Sequence, residues 1–493
     1  MRLIPFFVIV PLATAFIISI LGKKIKWISD ILGNLGSFAL LALSINSIFL
    51  INVHKALVYK VGGWIAPMGI SMVLDGLSSF MLVTVNLVSF LVAIFSINYM
   101  QRYTDKWKFY TLFMLMLAGM NGIIITGDLF NLFVFLEIAS IASYALVAFG
   151  TEAEELEASF KYAVMGSIAS SFILLAIAFL YSYTSTLNLA DMSLVISQKG
   201  SGLLIKFVTV LLLMGFGLKA ALIPFHAWLP DAHPSAPAPI SAMLSGVLIK
   251  VLGVYALIRL FFNVTGIGSN LLAILMLMGA ISIIVGVFLA IGQWDLKRLL
   301  AYHSISQIGY VILGIGLGTP LGILGGLFHL FNHSIFKSLL FLNSGAIEYA
   351  LGTRDLQKMG GLKKEMPVTA ATSLVASMSI AGVPPFNGFW SKLVIVLACI
   401  EANRLGYAVV AIIGSILTLA SFMKVQKYAF FGSMKEKVEK VKEVPFAMQL
   451  SMILFAVICL GAGLLLFGNA KVFLERAADA LIIGRGYSYL LFN

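Results

Sequence analysis

Long apolar stretches, separated by short polar connections, run through the whole 493-residue chain. Each stretch has the ~17–25 consecutive, mostly apolar residues that an α-helix needs to cross the hydrocarbon core of a membrane. The pattern therefore predicts an all-α, polytopic membrane protein without a soluble domain. We expect fourteen spans, near residues 3–21, 28–51, 73–97, 109–126, 129–149, 160–181, 203–223, 239–262, 270–291, 299–317, 321–349, 367–402, 406–431 and 446–467.

The composition excludes several classes of protein. Hydrophobic residues make up 60% of the chain and charged residues 11%, against about 45–50% and about 25% in soluble globular proteins. This apolar content excludes a disordered chain. The two cysteines, Cys399 and Cys459, both lie in apolar stretches, which excludes a disulfide scaffold and a cysteine-ligated zinc or iron–sulfur site. We expect no metal, no cofactor and no catalytic chemistry in this chain.

The formal net charge of +12 is explained by membrane topology. Basic residues in the loops after odd-numbered spans outnumber those in the other loops and the termini by roughly two to one, which is the positive-inside pattern. The pattern places those loops in the cytoplasm and both termini outside a cell membrane (inner or plasma membrane). A nucleic-acid partner is then unnecessary.

Leaving aside residues in loops and at span ends, five charged residues fall inside predicted spans: Glu137, Lys219, Lys250, Lys337 and Lys392. A charge at mid-membrane costs at least ~2.5–3.5 kcal/mol on insertion scales, and such residues pair with each other, face a polar interior or line an ion path. A buried ion pair that only fixes helix packing is the alternative, but one pair accounts for only two of the five. The spread of these charges over five spans indicates ion translocation.

A stripe of titratable residues follows the predicted eleventh span. His329, His333 and Lys337 recur every four residues and so share one helix face. Histidine titrates near neutral pH, and a desolvated lysine releases its proton more readily than a solvated one. The stripe indicates a proton relay, although either histidine alone would indicate a core hydrogen bond. Ser304 and Ser306 add polarity to the tenth span, either as channel lining or as helix-to-helix hydrogen bonds.

Two predicted spans are interrupted by proline. Lys219 precedes Pro224 by five residues, and Lys392 follows Pro385 by seven. Proline removes a backbone donor and frees a carbonyl group, and broken backbone at membrane depth is tolerated only where protein or water surrounds it. Paired interruptions in two halves of a chain are typical of transporters built from internal repeats.

Longer motifs resemble those of the antiporter-like subunits shared by respiratory complex I, Mrp-type cation/proton antiporters and energy-converting membrane hydrogenase or sulfur reductase complexes. The resemblance runs from about Gly62 to Lys427. Its motifs are GGWIAPMGISMVLDGLS (62–78), the Glu137 span, the segment from Lys219 through PFHAWLPDAHPSAPAPISAMLSGVLIK to Lys250, KRLLAYHSISQIGY (297–310), FHLFNHSIFKSLLFL (328–342) and AGVPPFNGFWSK (381–392).

The resemblance implies fourteen helices, of which helices 7 and 12 are broken, and two inverted five-helix repeats. The expected organisation is an N-terminal three-helix segment at 1–108, a first repeat at 109–262 and a second repeat at 270–431. A cytoplasmic connection, a last helix and an interfacial tail would follow at 432–493.

The resemblance also implies a role for each intramembrane charge. Glu137 would pair with Lys219 as an electrostatic switch beside a central lysine, Lys250. Separating the pair would leave an unshielded positive charge that repels the proton from Lys250. The relay would continue along the remaining residues, which are His329, His333, Lys337 and Lys392.

The most similar members are the D-type subunits of Mrp antiporters and their counterparts in hydrogenase or sulfur reductase complexes, because Lys392 stands where some complex I relatives carry glutamate. We therefore expect a proton- or sodium/proton-translocating subunit whose partners are other membrane subunits of one complex and the surrounding lipid. The alternatives are a pumping subunit of a complex I type quinone oxidoreductase and, less favoured, a stand-alone solute permease.

Overall fold

The computed structural model describes residues 3–25, 27–200, 202–432 and 441–486. Most of the predicted cytoplasmic connection (433–440) and the end of the predicted tail (487–493) lie outside these ranges. The described elements are α1 (Phe6–Leu21), α2 (Ile28–His54), β1 (Ala56–Lys60), β2 (Ser71–Asp75), α3 (Gly76–Tyr99), α4 (Lys106–Ile125), α5 (Leu129–Val147), α6 (Ala153–Thr184), α7 (Leu189–Lys199), α8 (Leu203–Lys219), α9 (Leu229–Ser235), α10 (Ala238–Thr265), α11 (Ser269–Ile291), α12 (Leu296–Gly316), α13 (Pro320–Leu351), α14 (Pro367–Ala381), α15 (Asn387–Glu401), α16 (Leu405–Phe430), α17 (Phe446–Leu466) and α18 (Lys471–Ile482).

Ten of the described helices are long and apolar enough to cross a membrane, namely α2 to α6, α10 to α12, α16 and α17. Helices α1 and α14 are apolar but shorter. The prediction of a multi-pass helical membrane protein is therefore confirmed, whereas the number of fourteen spans stays a prediction.

Two of the predicted spans are not continuous helices. Helix α8 ends at Lys219, and the chain passes through turns before the short helix α9 begins at Leu229. The predicted span at 367–402 is divided into α14 and α15 by residues 382–386. Each interruption contains proline, which cannot donate a backbone hydrogen bond to the preceding turn.

One end of the bundle carries structure that hydropathy did not predict. The strands β1 and β2 form an antiparallel pair between α2 and α3. Single bridges join Met72 to Thr126 and Asp128 to Asn188, so this pair, the α4–α5 connection and the start of α7 lie together. Helix α7 itself is short and amphipathic, which is why no span was expected there.

Helices α10, α12 and α13 occupy the interior of the bundle. The apolar stretch of α10 is 100% buried and that of α12 is 94% buried, and α13 is buried from Gly322 to Ile347. Helices α11 and α12 pack closely because Gly279 and Gly309 have no side chains. A Cβ atom at either position would collide with the backbone of the facing helix. Polar residues on these interior helices are therefore shielded from lipid by protein.

The described part of the predicted tail forms α18, but its apolar face is covered by protein. Leu474, Ala477 and Leu481 are buried, and the ring of Phe473 lies 5.4 Å from that of Phe80 on α3, measured between centroids. The helix packs against α3 and α13. Protein, rather than lipid, covers this face, and the expectation that the tail lies at the membrane interface stays a prediction.

Candidate functional site

The residues predicted to carry ions are placed on interior surfaces of several helices. Glu137 lies on α5, Lys219 ends α8, Lys250 lies on α10 and Lys392 lies on α15. The remaining three, His329, His333 and Lys337, lie on α13. The four lysines and both histidines are buried, while Glu137 is partly exposed. An ammonium group is stable in such surroundings only with polar partners, so the contacts of each group define the site.

The first part of the site joins α5, α6 and α8. The hydroxyl of Ser170 on α6 donates a hydrogen bond to the carboxylate of Glu137. Lys219 Nζ donates to Ser140 Oγ at 3.0 Å and to Tyr144 Oη at 3.4 Å. Ser140 and Tyr144 follow Glu137 by three and seven residues, so the three side chains form one stripe of α5.

The expected ion pair between Glu137 and Lys219 is not made directly. No ion pair within 4.0 Å joins these two described residues. The ammonium group of Lys219 donates a hydrogen bond to the Ser140 hydroxyl instead. Because residues three apart on a helix are neighbours, the ammonium group lies about one helical turn from the carboxylate. The two charges are thus near each other, with a hydroxyl group as the direct partner of the lysine.

The break after Lys219 is stabilised by an aromatic residue. Trp228 Nε1 donates to the carbonyl oxygen of Leu218 at 3.0 Å. The indole ring stacks on Tyr162 of α6, with centroids 4.4 Å apart and an interplanar angle of 7°. The indole thus adds a side-chain hydrogen bond to a carbonyl group that also accepts one from the backbone N–H of Ala221, and it ties the segment after the break to the end of α8.

A series of residues in hydrogen-bond contact lies between Lys250 and Lys337. Lys250 Nζ donates to the carbonyl oxygen of Ser245 at 2.5 Å, and the hydroxyl groups of Ser245 and Ser304 are 2.6 Å apart. Ser304 Oγ donates to the carbonyl oxygen of Leu300 at 3.1 Å, and Lys337 Nζ donates to the same oxygen. The series crosses from α10 through α12 to α13.

Helix α10 is irregular around the central lysine. Two π-helical stretches, Leu244–Leu248 and Lys250–Tyr255, flank Ile249. A π-helical turn inserts an extra residue into the helix and occurs frequently at functional sites. Here the irregular segment contains both Ser245 and Lys250, the first two members of the series.

The two histidines of α13 form the next part of the site. Their rings are 6.3 Å apart between centroids and nearly parallel, at 19°. His329 Nδ1 is 2.9 Å from Ser391 Oγ on α15. The other ring nitrogen of His329 and both of His333 are buried and have no hydrogen-bond partner among the described residues. Buried polar atoms of this kind are normally satisfied by internal water.

Lys392 occupies the second break. Its ammonium group donates to the carbonyl oxygen of Ile380 at 2.7 Å and to Ser415 Oγ at 3.2 Å. It also lies 4.7 Å from the centroid of the Tyr310 ring. Ile380 is in the last turn of α14, where unpaired carbonyl groups and the helix dipole favour a positive charge. Lys392, which lies on α15, thus caps the C-terminal end of α14 across the break.

The start of α15 is attached to α13 by a pair of amides. Asn332 Nδ2 donates to the carbonyl oxygen of Asn387 at 3.0 Å, and Asn387 Nδ2 donates to Asn332 Oδ1 at 3.1 Å. One turn further along each helix, His329 contacts Ser391. The helix of the histidine stripe and the second half of the broken helix are therefore joined at two successive levels.

Two ion pairs outside this series have a buried cation. Arg259 on α10 contacts Asp75 with both terminal nitrogens, at 2.8 and 2.9 Å, and both side chains are buried. Burial alone would raise the pKa of Asp75, but the Arg259 guanidinium outweighs it and holds that pKa below its ordinary value of 3.8. Asp75 also caps α3, as a helix start would. Lys297 and Glu348 form the second pair, at 2.8 Å.

Within the described residues, no group of three or more His, Cys, Asp or Glu side chains is close enough to hold a metal ion. The expectation that the chain carries no metal or cofactor stays a prediction.

Several members of the site were not predicted as such. Ser140 and Tyr144 could have been found, because they continue the Glu137 stripe at helical spacing. Ser304 was considered, with two interpretations left open, and the structure places it in the hydrogen-bond series. Trp228 and Asn387 had no signal in the sequence, because their roles depend on which helices meet at each break.

Comparison with known proteins agrees with the fold. Residues 126–418 match the family model described as NADH:quinone oxidoreductase/Mrp antiporter, transmembrane region. Residues 64–110 match the model for the N-terminus of chain 5 of NADH-ubiquinone oxidoreductase (complex I). The D-type subunit of the Na(+)/H(+) antiporter of Alkalihalophilus pseudofirmus is 36% identical over 410 residues, which are 82% of this chain and 83% of that protein.

Two solved structures share the whole architecture. A chain of the Mrp complex from Dietzia sp. DQ12-45-1b superposes with a TM-score of 0.91 at 27% identity, covering 100% of this chain and 99% of that one. A chain of the membrane-bound sulfane sulfur reductase, an archaeal respiratory membrane complex, gives the same TM-score at 29% identity and the same coverage.

Proposed function

Because the chain belongs to the NADH:quinone oxidoreductase/Mrp antiporter family, we propose that it is a proton- or sodium/proton-translocating subunit of a multi-subunit membrane complex, similar to the D-type subunits of Mrp antiporters. The observation that carries the proposal is the hydrogen-bond series from Lys250 to Lys337. Four buried lysines in a membrane interior are costly, and a packing role alone does not explain why two of them share one connected polar path.

The proposed mechanism starts at the Glu137 end. Lys219 is held by two hydroxyl groups of α5, one helical turn from the carboxylate. A small rotation of its long side chain toward Glu137 would form the ion pair, and rotation away would expose the positive charge to the interior. In a medium of low dielectric constant that charge acts over a longer range than in water. It would repel the proton held by Lys250.

The next steps follow the polar groups already in contact. A proton leaving Lys250 would move by way of internal water to the hydroxyl groups of Ser245 and Ser304, and by water again to Lys337, because the carbonyl oxygens of Ser245 and Leu300 only accept hydrogen bonds and position these groups. From there it would cross to the histidines of α13. The unpartnered ring nitrogens of His333 lie on this section, and we propose that internal water completes it.

Lys392 would be the last proton-binding group on the path. The carbonyl groups at the end of α14 stabilise its positive charge, while Ser391, the residue before it, contacts His329. Protonation of His329 would therefore place a positive charge in contact with Ser391, one residue before Lys392. Release from Lys392 would complete the transfer.

The same proposal extends to the organisation of the chain. Each break lies beside a buried lysine, Lys219 at the end of α8 and Lys392 on α15. This correspondence supports two inverted five-helix repeats, at 109–262 and 270–431, within fourteen spans. The distribution of basic residues supports termini on the outer side. We also propose that other membrane subunits are the partners, as in the two complexes of similar structure.

The test is transport by the assembled complex. Glu137→Ala and Lys219→Ala should each abolish most cation-driven proton movement across everted membrane vesicles, measured with a dye that reports the pH difference. Glu157→Ala and Lys60→Ala are matched controls, because they remove an exposed carboxylate and an exposed ammonium group. Undiminished transport in both site variants, at normal assembly, would contradict the proposal.

The parent complex needs a separate experiment, because the antiporter and the reductase fit equally well. Purification through a tag on this chain should recover several other membrane subunits. An iron–sulfur signal in the purified complex would indicate a redox-driven pump, and a complex without redox centres would indicate an antiporter. Recovery of a fully active single chain would instead favour a stand-alone permease.

A further inference from the structure

Lys392 contacts two helices that each carry a row of polar side chains leading away from it. On α16, Ser415 Oγ accepts a hydrogen bond from Lys392 Nζ at 3.2 Å. On α12, the centroid of the Tyr310 ring lies 4.7 Å from the same nitrogen. Helices α12 and α16 are in contact. The two rows therefore run side by side from Lys392 toward the bundle end where α12 begins and α16 ends.

The row on α16 consists of hydroxyl groups. Ser415, Thr418 and Ser421 follow one another at intervals of three residues, so each is the neighbour of the next on the helix surface. Thr418 and Ser421 are buried. Thr418 Oγ1 donates to the carbonyl oxygen of Gly414 at 2.7 Å, which leaves lone pairs of this oxygen able to accept a hydrogen bond from another donor.

The row on α12 contains buried polar atoms without protein partners. His303, Gln307 and Tyr310 are spaced by four and three residues and so share one side of the helix. His303 Nε2 is 2.8 Å from Ser421 Oγ, which joins the two rows at the end away from Lys392. His303 Nδ1 and both amide atoms of Gln307 have no hydrogen-bond partner among the described residues. Buried groups of this kind are normally satisfied by internal water.

Beyond His303 the two rows approach the surface of the bundle. Lys424 follows Ser421 by three residues on α16 and is partly exposed. Its ammonium group donates to two carbonyl oxygens at the α11–α12 connection, at 2.8 and 2.6 Å. The distribution of basic residues places this connection in the cytoplasm. Three ammonium groups act electrostatically on His303, those of Lys337, Lys392 and Lys424, so the histidine lies between the interior lysines and this surface.

We propose that the space between the two rows is an access path, through which Lys392 exchanges protons with the predicted cytoplasmic side by way of His303 and internal water. The path rests on the proposed function, because it gives the last proton-binding group of that mechanism a route to bulk water. A proton taken up from water by one ring nitrogen of His303 would leave from the other nitrogen, pass to water held by Gln307 and reach neutral Lys392. The reverse sequence would release it.

A packing role explains only part of this arrangement. Hydroxyl groups that bond to helix carbonyl groups are common between membrane helices, and Thr418 taken alone is such a case. Packing does not explain Gln307, whose amide is buried without any protein partner among the described residues. It also does not explain why the rows on two different helices both lead from Lys392 to the same contact between His303 and Ser421.

Entry of water from one side can be measured with single thiols, without any transport. In a background of Cys399→Ala and Cys459→Ala, Thr418→Cys places a thiol in the path. Ile416→Cys is the matched control, because Ile416 is two residues away and is 61% exposed on the outer face of α16. Silver ions are added outside everted vesicles, which present the cytoplasmic side, and the remaining thiol of each cysteine peptide is measured by mass spectrometry.

A thiol reacts as its thiolate, which needs a polar environment. Thr418→Cys should therefore lose its thiol, and Ile416→Cys should keep its thiol. Ser421→Cys should react like Thr418→Cys, which gives a second variant should the first fail to assemble. Protection of both thiols of the path, equal loss at Ile416→Cys, or loss only when silver is added to the opposite side would each overturn the proposal.

Transport by the assembled complex tests the role of the histidine. His303→Gln keeps a hydrogen-bonding partner for Ser421 but removes the group that binds a proton. It should slow cation-driven proton movement by about 100-fold, the lower end of what a proton-transferring side chain contributes. Ser306→Ala on the same helix removes a hydrogen bond to α11 and should leave the rate per assembled complex unchanged.

The outcomes separate this path from the proposed function. Wild-type transport in His303→Gln, together with loss of transport in Lys250→Met, would overturn the access path and leave the proposed function in place. Wild-type transport in Lys250→Met would contradict the proposed function itself, whatever the thiols show.

Discussion

Ser304 and Ser306 offer the sharpest comparison in the molecule, because two similar residues on α12 have different neighbours. Ser304 lies in the series between Lys250 and Lys337, where it contacts Ser245 Oγ at 2.6 Å and donates to a carbonyl oxygen at 3.1 Å. Ser306 donates to the carbonyl oxygen of Ile283 on α11 at 3.0 Å. Ser304→Ala should therefore impair ion transport, and Ser306→Ala should affect only helix packing.

The size of the effect follows from the bonds removed. Ser304→Ala eliminates two hydrogen bonds of the series, each worth about 1 kcal/mol. If both contribute to the barrier for proton transfer, the barrier rises by about 2 kcal/mol, which slows transfer by about 30-fold. Ser306→Ala removes one bond of similar strength that is not in the series. It should cost about 1 kcal/mol of stability and leave the transport rate unchanged.

The assay is the initial rate of cation-driven proton movement in everted vesicles, normalised to the amount of assembled complex. Ser304→Thr keeps the hydroxyl group and should retain much of the activity. Equal rates for Ser304→Ala and Ser306→Ala would refute the assignment of Ser304 to the path. A normalised rate that stays at the wild-type value in Ser304→Ala, with total transport reduced only by a smaller amount of assembled complex, would refute it as well.

Three other predictions concern the contacts that hold the site. Asp75→Asn should lower the free energy of unfolding by about 3 kcal/mol, because it breaks a buried ion pair with Arg259. In the wild type this contribution should be complete above about pH 4 and should be lost as the pH falls through the lowered pKa of Asp75. Identical melting curves of the two proteins in detergent would contradict this prediction. Trp228→Phe should keep the stacked ring but lose one hydrogen bond at the first break, lowering the stability by about 1 kcal/mol, and an unchanged melting temperature would count against that bond. Asn387→Ala should cost about 1–3 kcal/mol because the buried Oδ1 of Asn332 loses its donor, while the bond from Asn332 Nδ2 to the backbone remains. Additive effects in the double-mutant cycle of these two residues would show that they are not coupled.

The residues of the candidate site could be proposed from the sequence because a charge within an apolar membrane span costs free energy. That cost singles out Lys250 and Lys392 without any knowledge of the fold. Helical spacing then groups His329 with Lys337 on one face, as the structure has them. Proline marked both interruptions, since it cannot continue a helix of regular hydrogen bonds.

The contacts between helices could not be predicted in the same way. The direct ion pair expected for Lys219 is replaced by hydrogen bonds to Ser140 and Tyr144, because the distance between α5 and α8 depends on packing that hydropathy does not encode. Similarly, the amphipathic pattern of α18 predicts an apolar face but not what covers it. The described structure shows that α3 and α13 cover it, with Phe473 against Phe80.

The central claim is that protons pass through the interior lysines, and Lys250 tests it most directly because it has no exposed surface and begins the hydrogen-bond series. The measurement is cation-driven proton movement by the assembled Lys250→Met complex in everted vesicles, with Lys60→Met as the control for loss of a charge. Transport should fall to the background of vesicles without the complex, while assembly and the control remain normal. Transport at the wild-type rate in an assembled Lys250→Met complex would contradict the account.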